Sequence, residues 1–173
     1  RLPLQFFGMF LLLFQLIIDD NGVGDIYSSG PLSVGFFLIA GLVICTGAMN
    51  IFNFMDGING ITGGYTIIVL AVILYTLNSS VSIQSNSTTF VINSLVKTVL
   101  LADIVFCFFN FRKCAKCFSG DVGSVSIAFV ILFALGFIIV NTKDLSWLSF
   151  LVVYGVDGCL TIIHRLILHE NIS

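Results

Sequence analysis

A polar, glycine-rich segment, NIFNFMDGINGITGG at residues 50–64, interrupts a very hydrophobic chain. Asn50, Asn53, Asp56 and Asn59 recur at every third position, and on a helix such neighbours lie on adjacent turns of one broad face. A carboxylate among carboxamides could bind a cation or a polar head group, and the glycines would let a ligand approach closely. The alternative is an ordinary loop that ends one helix and caps the next, and composition leaves both interpretations open.

The segment FNFRKCAKCFSGDVGS, residues 109–124, forms a second polar cluster. Arg112, Lys113 and Lys116 could hold phosphate groups, and the helix predicted to follow would present its N-terminus to an anion. Asp121 offers the hard oxygen ligand that Mg²⁺ prefers. The alternative is a positively charged loop followed by an Asp or Ser N-cap, which is a common arrangement.

Further ionisable residues lie within apolar segments. Asp157, Thr161 and Arg165 are spaced by four and therefore lie roughly on one helix face. An ionisable residue inside a membrane span is a functional hypothesis by default, although Arg165 could simply extend its side chain to the membrane surface. Lys97 and Asp103, six residues apart, cannot pair within one helix, and their roles stay open.

The composition places these clusters in an integral membrane protein. The 173 residues are 58% hydrophobic and only 9% charged, with a mean hydropathy of +1.11, whereas soluble domains carry about 25% charged residues. Nucleic acid binding has no support. Five cysteines, an odd number, imply no disulfide framework, and the Cys114-x-x-Cys117 pair lacks nearby Cys or His residues to complete a zinc site.

A membrane-spanning helix needs roughly 20 mainly apolar residues. That rule predicts an all-α, polytopic transmembrane bundle in a single integral-membrane domain, residues 1–173, with six spans near 3–18, 33–50, 64–78, 89–109, 124–140 and 147–168. Lys and Arg in short loops mark the cytoplasmic side. Most of the cations fall on one face of this topology, namely Arg1, Arg112, Lys113, Lys116 and Arg165, whereas the other face carries Asp19, Asp20, Asp25, Lys143 and Asp144. We therefore expect both polar clusters and the end of the last helix to face the cytoplasm.

The order of three motifs along the chain resembles that in the polyprenyl-phosphate N-acetylhexosamine-1-phosphate transferases, a family that includes phospho-N-acetylmuramoyl-pentapeptide translocase. The motifs are N-x-x-N-x-x-D-G-x-N-G at 50–60, F-x-G-D-x-G-S at 118–124 and D-G-x-x-T-I-I-H-R-L at 157–166. Each lies at a predicted cytoplasmic end of a span, and together they extend the resemblance over nearly the whole chain.

The resemblance implies transfer of a GlcNAc-type sugar 1-phosphate from a UDP-sugar to undecaprenyl phosphate, with release of UMP, in the synthesis of cell-envelope polysaccharides such as lipopolysaccharide. The implied cofactor is Mg²⁺, for which Mn²⁺ could substitute. The implied location is the bacterial inner membrane, where a multi-pass chain in the lipid bilayer turns its active site to the cytoplasm. Whether two copies form a homodimer stays open.

The resemblance also assigns roles to individual residues. Asp56 and Asp121 would be catalytic, with Asp121 and Asn53 as metal ligands. The substrate-binding residues would be Asn53, Asn59, Phe118, Arg112, Lys116 and Arg165, with Phe118 packed on the uracil. Two positions depart from the family pattern. Asn59 replaces an Asp that contacts the nucleotide, and Asn110 lies one residue further from Asp121 than the corresponding family Asn.

Two family motifs would fall outside the chain, because the Asp-Asp pair would precede Arg1 and the His-containing basic loop would follow Ser173. We therefore expect an internal fragment without independent activity. The alternatives are a polytopic transporter or channel that uses Lys97 and Asp103, and a non-catalytic membrane subunit whose motifs are only helix ends. A transporter would favour a repeat that relates the two halves, and the sequence shows none.

Overall fold

The computed structural model describes residues 2–18, 31–57, 59–79, 87–112 and 114–168. The helices are α1 Leu2–Ile18, α2 Pro31–Met55, α3 Ile61–Ser79, α4 Ser87–Asn110, α5 Gly120–Thr142 and α6 Ser149–Ile167, and a short 3-10 helix, Leu145–Leu148, precedes α6. Within these ranges there is no β-strand. The prediction of an all-α bundle is confirmed, and each predicted apolar segment corresponds to one helix.

Several helices are long and apolar enough to cross a membrane. By length and hydropathy the spanning segments are Val34–Met55, Ile61–Ser79, Thr88–Asn110 and Gly120–Thr142. Two shorter apolar stretches are Pro3–Gln15 in α1 and Leu145–Gly158, which comprises the 3-10 helix and the first part of α6. The chain is therefore a multi-pass membrane protein. The predicted acidic loop with Asp19, Asp20 and Asp25 lies outside the described residues.

α5 is the central helix of the bundle, since it packs against α1, α2, α3 and α4. Its side chains Ile131, Leu135 and Ile138 are buried in the core. On the outer surface, large apolar side chains such as Phe90 and Leu101 are exposed. A helix that is apolar on all sides is typical of a membrane span, where lipid replaces water around the bundle.

Glycines allow α3 and α4 to approach closely, and these two helices share the most extensive interface of the bundle. A methyl group on Gly63 would collide with the Cys107 sulfur, and one on Gly60 would collide with the Phe111 ring. Gly60 also has φ +83°, a backbone conformation that residues other than glycine rarely adopt. The start of α3 is thereby fixed against the end of α4.

The first polar segment spans the end of one helix and the turn before the next. α2 continues to Met55, so Asn50 and Asn53 lie in its last turns, whereas Asp56 and Asn59 lie in the connection to α3. The three-residue spacing therefore does not run along a single helix face. The end of α2 instead delivers Asp56 to the turn between the helices.

At the opposite end of α5, Asp144 caps the short 3-10 helix. Its Oδ1 accepts a hydrogen bond from the backbone N–H of Ser146 at 2.9 Å. This bonding with Ser146 lowers the pKa of the exposed Asp144 carboxyl. Asp144 is therefore a carboxylate beyond the end of α5 that is opposite to Asp121.

Candidate active site

The first two polar clusters meet at one end of the bundle. The Ser119 hydroxyl donates a hydrogen bond to Oδ2 of Asp56. One helical turn deeper, the Ser124 hydroxyl lies 3.0 Å from Oδ1 of Asn53, and Ser124 is fully buried. Two segments that are far apart in the sequence therefore form a single site, built from the end of α2 and the start of α5.

The start of α5 is arranged around these two serines. Ser119 occupies the N-cap position, but its side chain makes no capping hydrogen bond because its hydroxyl is directed to Asp56. Gly120 follows with φ +61°, and the Ser119 carbonyl accepts from the Gly123 N–H at 3.2 Å. Asp121 then lies exposed in the first turn of α5, where the helix dipole favours negative charge. Of the alternative offered by the sequence, an Asp or Ser N-cap, the structure has Ser119 at the N-cap position, but its hydroxyl bonds another segment instead of the helix.

Asn110 connects the two loops that carry the site. It is the last residue of α4 and is only 5% exposed. Its Oδ1 accepts from the Gly60 N–H at 2.6 Å, and its Nδ2 donates to the Cys117 carbonyl at 2.8 Å. In the sequence, Asn110 stands out only as a departure from the family spacing. The signal that could have found it is a carboxamide at the end of a long, mainly apolar helix, directly before a basic loop.

Basic and aromatic side chains of the loop after α4 lie at the same end of the bundle. The Arg112 guanidinium carbon lies 5.2 Å from the centroid of the Phe108 ring, and the Lys116 N–H bonds the Phe109 carbonyl at 3.1 Å. The side chains of Arg112 and Lys116 are exposed. Phe118 is 64% exposed. This loop therefore folds back on the end of α4 and presents cations and an aromatic ring to the surroundings.

Contacts of α6 reach the same end of the bundle. The Tyr154 hydroxyl donates to the Ile61 carbonyl at 3.2 Å, and its ring stacks on Tyr65 with centroids 4.2 Å apart. A methyl group on Gly158 would collide with Ile51 of α2. The beginning of the third motif is therefore packed against α2.

The remaining predicted residues are less closely placed. Asp157 is exposed, and its carbonyl accepts from the Thr161 hydroxyl at 2.9 Å. Asn59 is exposed in the turn before α3. Arg165 belongs to α6, but its side chain lies outside the described part of the structure, as does Lys113. The structure thus unites Asn53 and Asp56 with the segment 119–124, and it leaves the contribution of the third motif as a prediction.

The donor chemistry of this site fits Mg²⁺. Among the described residues no three His, Cys, Asp or Glu side chains are grouped as a metal site. Mg²⁺ needs fewer protein ligands, because it is usually held by one or two carboxylates, several waters and substrate phosphates. Asn53 and Asp121 supply a carboxamide and a carboxylate from two segments that hydrogen bonds join directly. These residues are the ones that would hold the ion.

Comparison with known proteins identifies the family of the chain. The sequence profile described as glycosyl transferase family 4 matches residues 1–143, which include both segments of the site. Searches of curated proteins and of solved structures found no match. Because the profile covers most of the chain, this membrane protein belongs to glycosyl transferase family 4, a family that transfers glycosyl phosphate to a lipid carrier.

Proposed function

We propose that the chain forms the core of an Mg²⁺-dependent enzyme that transfers N-acetylhexosamine 1-phosphate from a UDP-sugar to undecaprenyl phosphate. An oxygen of the lipid phosphate attacks the sugar-bearing β-phosphorus, the bond from that phosphorus to the bridging oxygen breaks, and UMP leaves. The reaction takes place at the cytoplasmic face of a bacterial inner membrane. There a soluble nucleotide sugar meets a phosphate that the bilayer holds.

The observation that carries the proposal is the pair of links between α2 and α5. The bond from Ser119 to Asp56 and the contact of Ser124 with Asn53 place the oxygen-rich parts of two motifs together. Transfer of a phosphoryl group depends mainly on positioning and on neutralisation of charge. Carboxylate and carboxamide oxygens that hydrogen bonds hold in place, beside the exposed cations Arg112 and Lys116, support that chemistry.

Each side chain has a specific role in this proposal. Asp56 accepts the proton of the lipid phosphate, and the Ser119 hydroxyl orients the Asp56 carboxylate for this task. Asp121 and Asn53 hold Mg²⁺, which when bound neutralises the negative charge of the phosphates. Phe118, exposed at the edge of the site, packs on the uracil. Asn59 binds the nucleotide.

The cations of the site neutralise the diphosphate. Arg112 and Lys116 bind the oxygens of the diphosphate. To do so, the Arg112 side chain moves away from the Phe108 ring that it contacts in this structure. Arg165, at the end of α6, would add a third cation. Such clamps act where charge develops during the reaction.

An apolar groove between α2 and α6 supports a lipid substrate. It has a volume of about 220 Å³ and is lined by Val43, Gly47, Ile51, Leu151 and Gly155 among others. The groove ends at Ile51 and Phe52, next to Asn53 in the sequence. A polyprenyl chain in this groove would therefore bring its phosphate to the site.

The test is to measure UMP released from UDP-GlcNAc and undecaprenyl phosphate by membranes that contain the full-length gene product. We expect Asp121→Asn to lower turnover at least about a hundredfold, because a lost metal ligand costs several kcal/mol of transition-state stabilisation. Asp144→Asn makes the same substitution beyond the other end of α5 and should leave turnover within about twofold. Equal turnover of the Asp121→Asn variant and the unmodified protein would refute the role of Asp121.

A further inference from the structure

A second crevice lies between α4 and α5, on a different side of the bundle from the groove between α2 and α6. Its volume is about 430 Å³. Apolar side chains form most of its walls, namely Val99, Ala102, Phe106, Ile127 and Val130, and Phe118 and Ser119 also line it. Ala102 and Ser126 are exposed at its edge. The crevice therefore opens to the outside of the bundle, where lipid surrounds the helices.

One carboxylate interrupts this apolar wall. Asp103 lines the crevice and is only 2% exposed. Its Oδ2 accepts a hydrogen bond from the Thr66 hydroxyl of α3, but its Oδ1 is buried without a hydrogen-bond partner among the described residues. A buried charge or polar atom without a partner is costly. A ligand that donates hydrogen bonds and carries positive charge would supply the missing partner.

The depth of Asp103 limits the ligand further. It lies about two helical turns before the end of α4. This is roughly 10 Å along the helix axis from the end of the bundle that carries the candidate active site. A phosphate group would stay near the membrane surface, and its negative charge would be repelled by the carboxylate. The amine of an aminophospholipid is attached beyond the phosphate and therefore stays near the surface as well. The cation must instead be joined directly to an apolar chain.

We propose that the crevice between α4 and α5 binds a long-chain primary amine, whose ammonium group contacts Asp103 and whose chain packs between Val99 and Val130. The ligand differs from the acceptor lipid in both charge and position. Ser119 lines the crevice, and its hydroxyl also donates a hydrogen bond to Asp56. A bound amine therefore contacts the wall that supports the candidate active site.

Photochemical cross-linking tests this proposal independently of enzyme turnover. Octadecylamine, octadecanol and octadecanoic acid, each with the same diazirine in the chain, are added at equal mole fraction to the purified chain in phosphatidylcholine nanodiscs. Cross-linked peptides are then mapped and quantified by mass spectrometry. We expect the amine to label residues 99–106 and 123–130, with a yield about tenfold above that of the acid, the factor expected for one charged hydrogen bond.

Asp103→Asn should lower the amine yield about tenfold, because the carboxamide keeps an acceptor for Thr66 but removes the charge. Asp157→Asn, at an exposed carboxylate of α6, should leave the yield unchanged. Ala102→Phe fills the crevice while keeping Asp103, and it should also abolish labelling. The proposal is wrong if the alcohol or the acid labels the crevice as well as the amine does. It is equally wrong if the amine labels all outer helix faces alike, or if neither variant changes the yield.

Discussion

Asn110 shows how much of the site depends on single short side chains. It satisfies a backbone N–H of one loop and a carbonyl of another, and both bonds are partly buried. A buried backbone group that loses its partner costs about 1–3 kcal/mol. Asn110 therefore helps to hold the turn at Gly60 and the loop at Cys117 in place.

We expect Asn110→Leu to lower the free energy of unfolding by about 2 kcal/mol or more, because leucine has a similar size and leaves both backbone groups without a partner. Asn93→Leu is the matched control, since Asn93 lies near the other end of α4 and its bond to Asn78 is exposed. That change should cost less than about 1 kcal/mol. Denaturant titration in micelles measures the free energy of unfolding of both variants. Equal losses of stability in the two variants would contradict the connecting role of Asn110.

At the scale of elements, the pairing of α3 with α4 decides where the site forms. Gly63 faces Cys107 and Phe106 without space for a methyl group. Small residues at helix interfaces let the backbones of membrane helices approach closely. This close approach brings Gly60 within reach of Asn110 and so fixes the turn that contains Asp56.

Gly63→Ala should therefore separate the two helices and lower stability by about 1–3 kcal/mol, as is usual for overpacking. Gly35→Ala adds the same methyl group to α2 at a point where no described atom beyond the local helix backbone lies within 4 Å, and we expect it to be neutral or slightly stabilising. The double variant Gly63→Ala with Cys107→Ala removes the colliding sulfur and should recover part of the loss. Thermal unfolding in micelles provides the comparison, and a Gly63→Ala variant as stable as the parent would show that the interface is looser than described.

At the scale of the whole molecule, the site lies at the end of the bundle that carries the exposed cations Arg112 and Lys116. Asp144 and Lys143 lie beyond the other end of α5. Positive residues in short loops remain on the cytoplasmic side. The distribution of charge therefore predicts that the site opens to the cytoplasm, where nucleotide sugars are found.

Cysteine labelling tests this orientation. Cys114 is exposed beside the site, and a membrane-impermeant maleimide should reach it in inverted vesicles but not in intact spheroplasts. Ser146→Cys, introduced together with Cys114→Ser and Cys117→Ser, moves the exposed thiol to the opposite end of α5, and it should show the reverse pattern. Labelling of Cys114 from outside intact spheroplasts would reverse the predicted topology.

The amino-acid sequence by itself determined the membrane class, the positions of the helices and the two motifs of the site, because hydropathy and motif spacing depend on residues that are close along the chain. It could not determine that α2 continues to Met55 and leaves Asp56 in a turn, or that Ser119 bonds Asp56 instead of capping α5. Nor could it determine that Asn110 joins two loops. Only the tertiary structure decided these features, because each depends on how closely α2, α3, α4 and α5 pack, and short polar side chains form hydrogen bonds only over distances of about 3 Å.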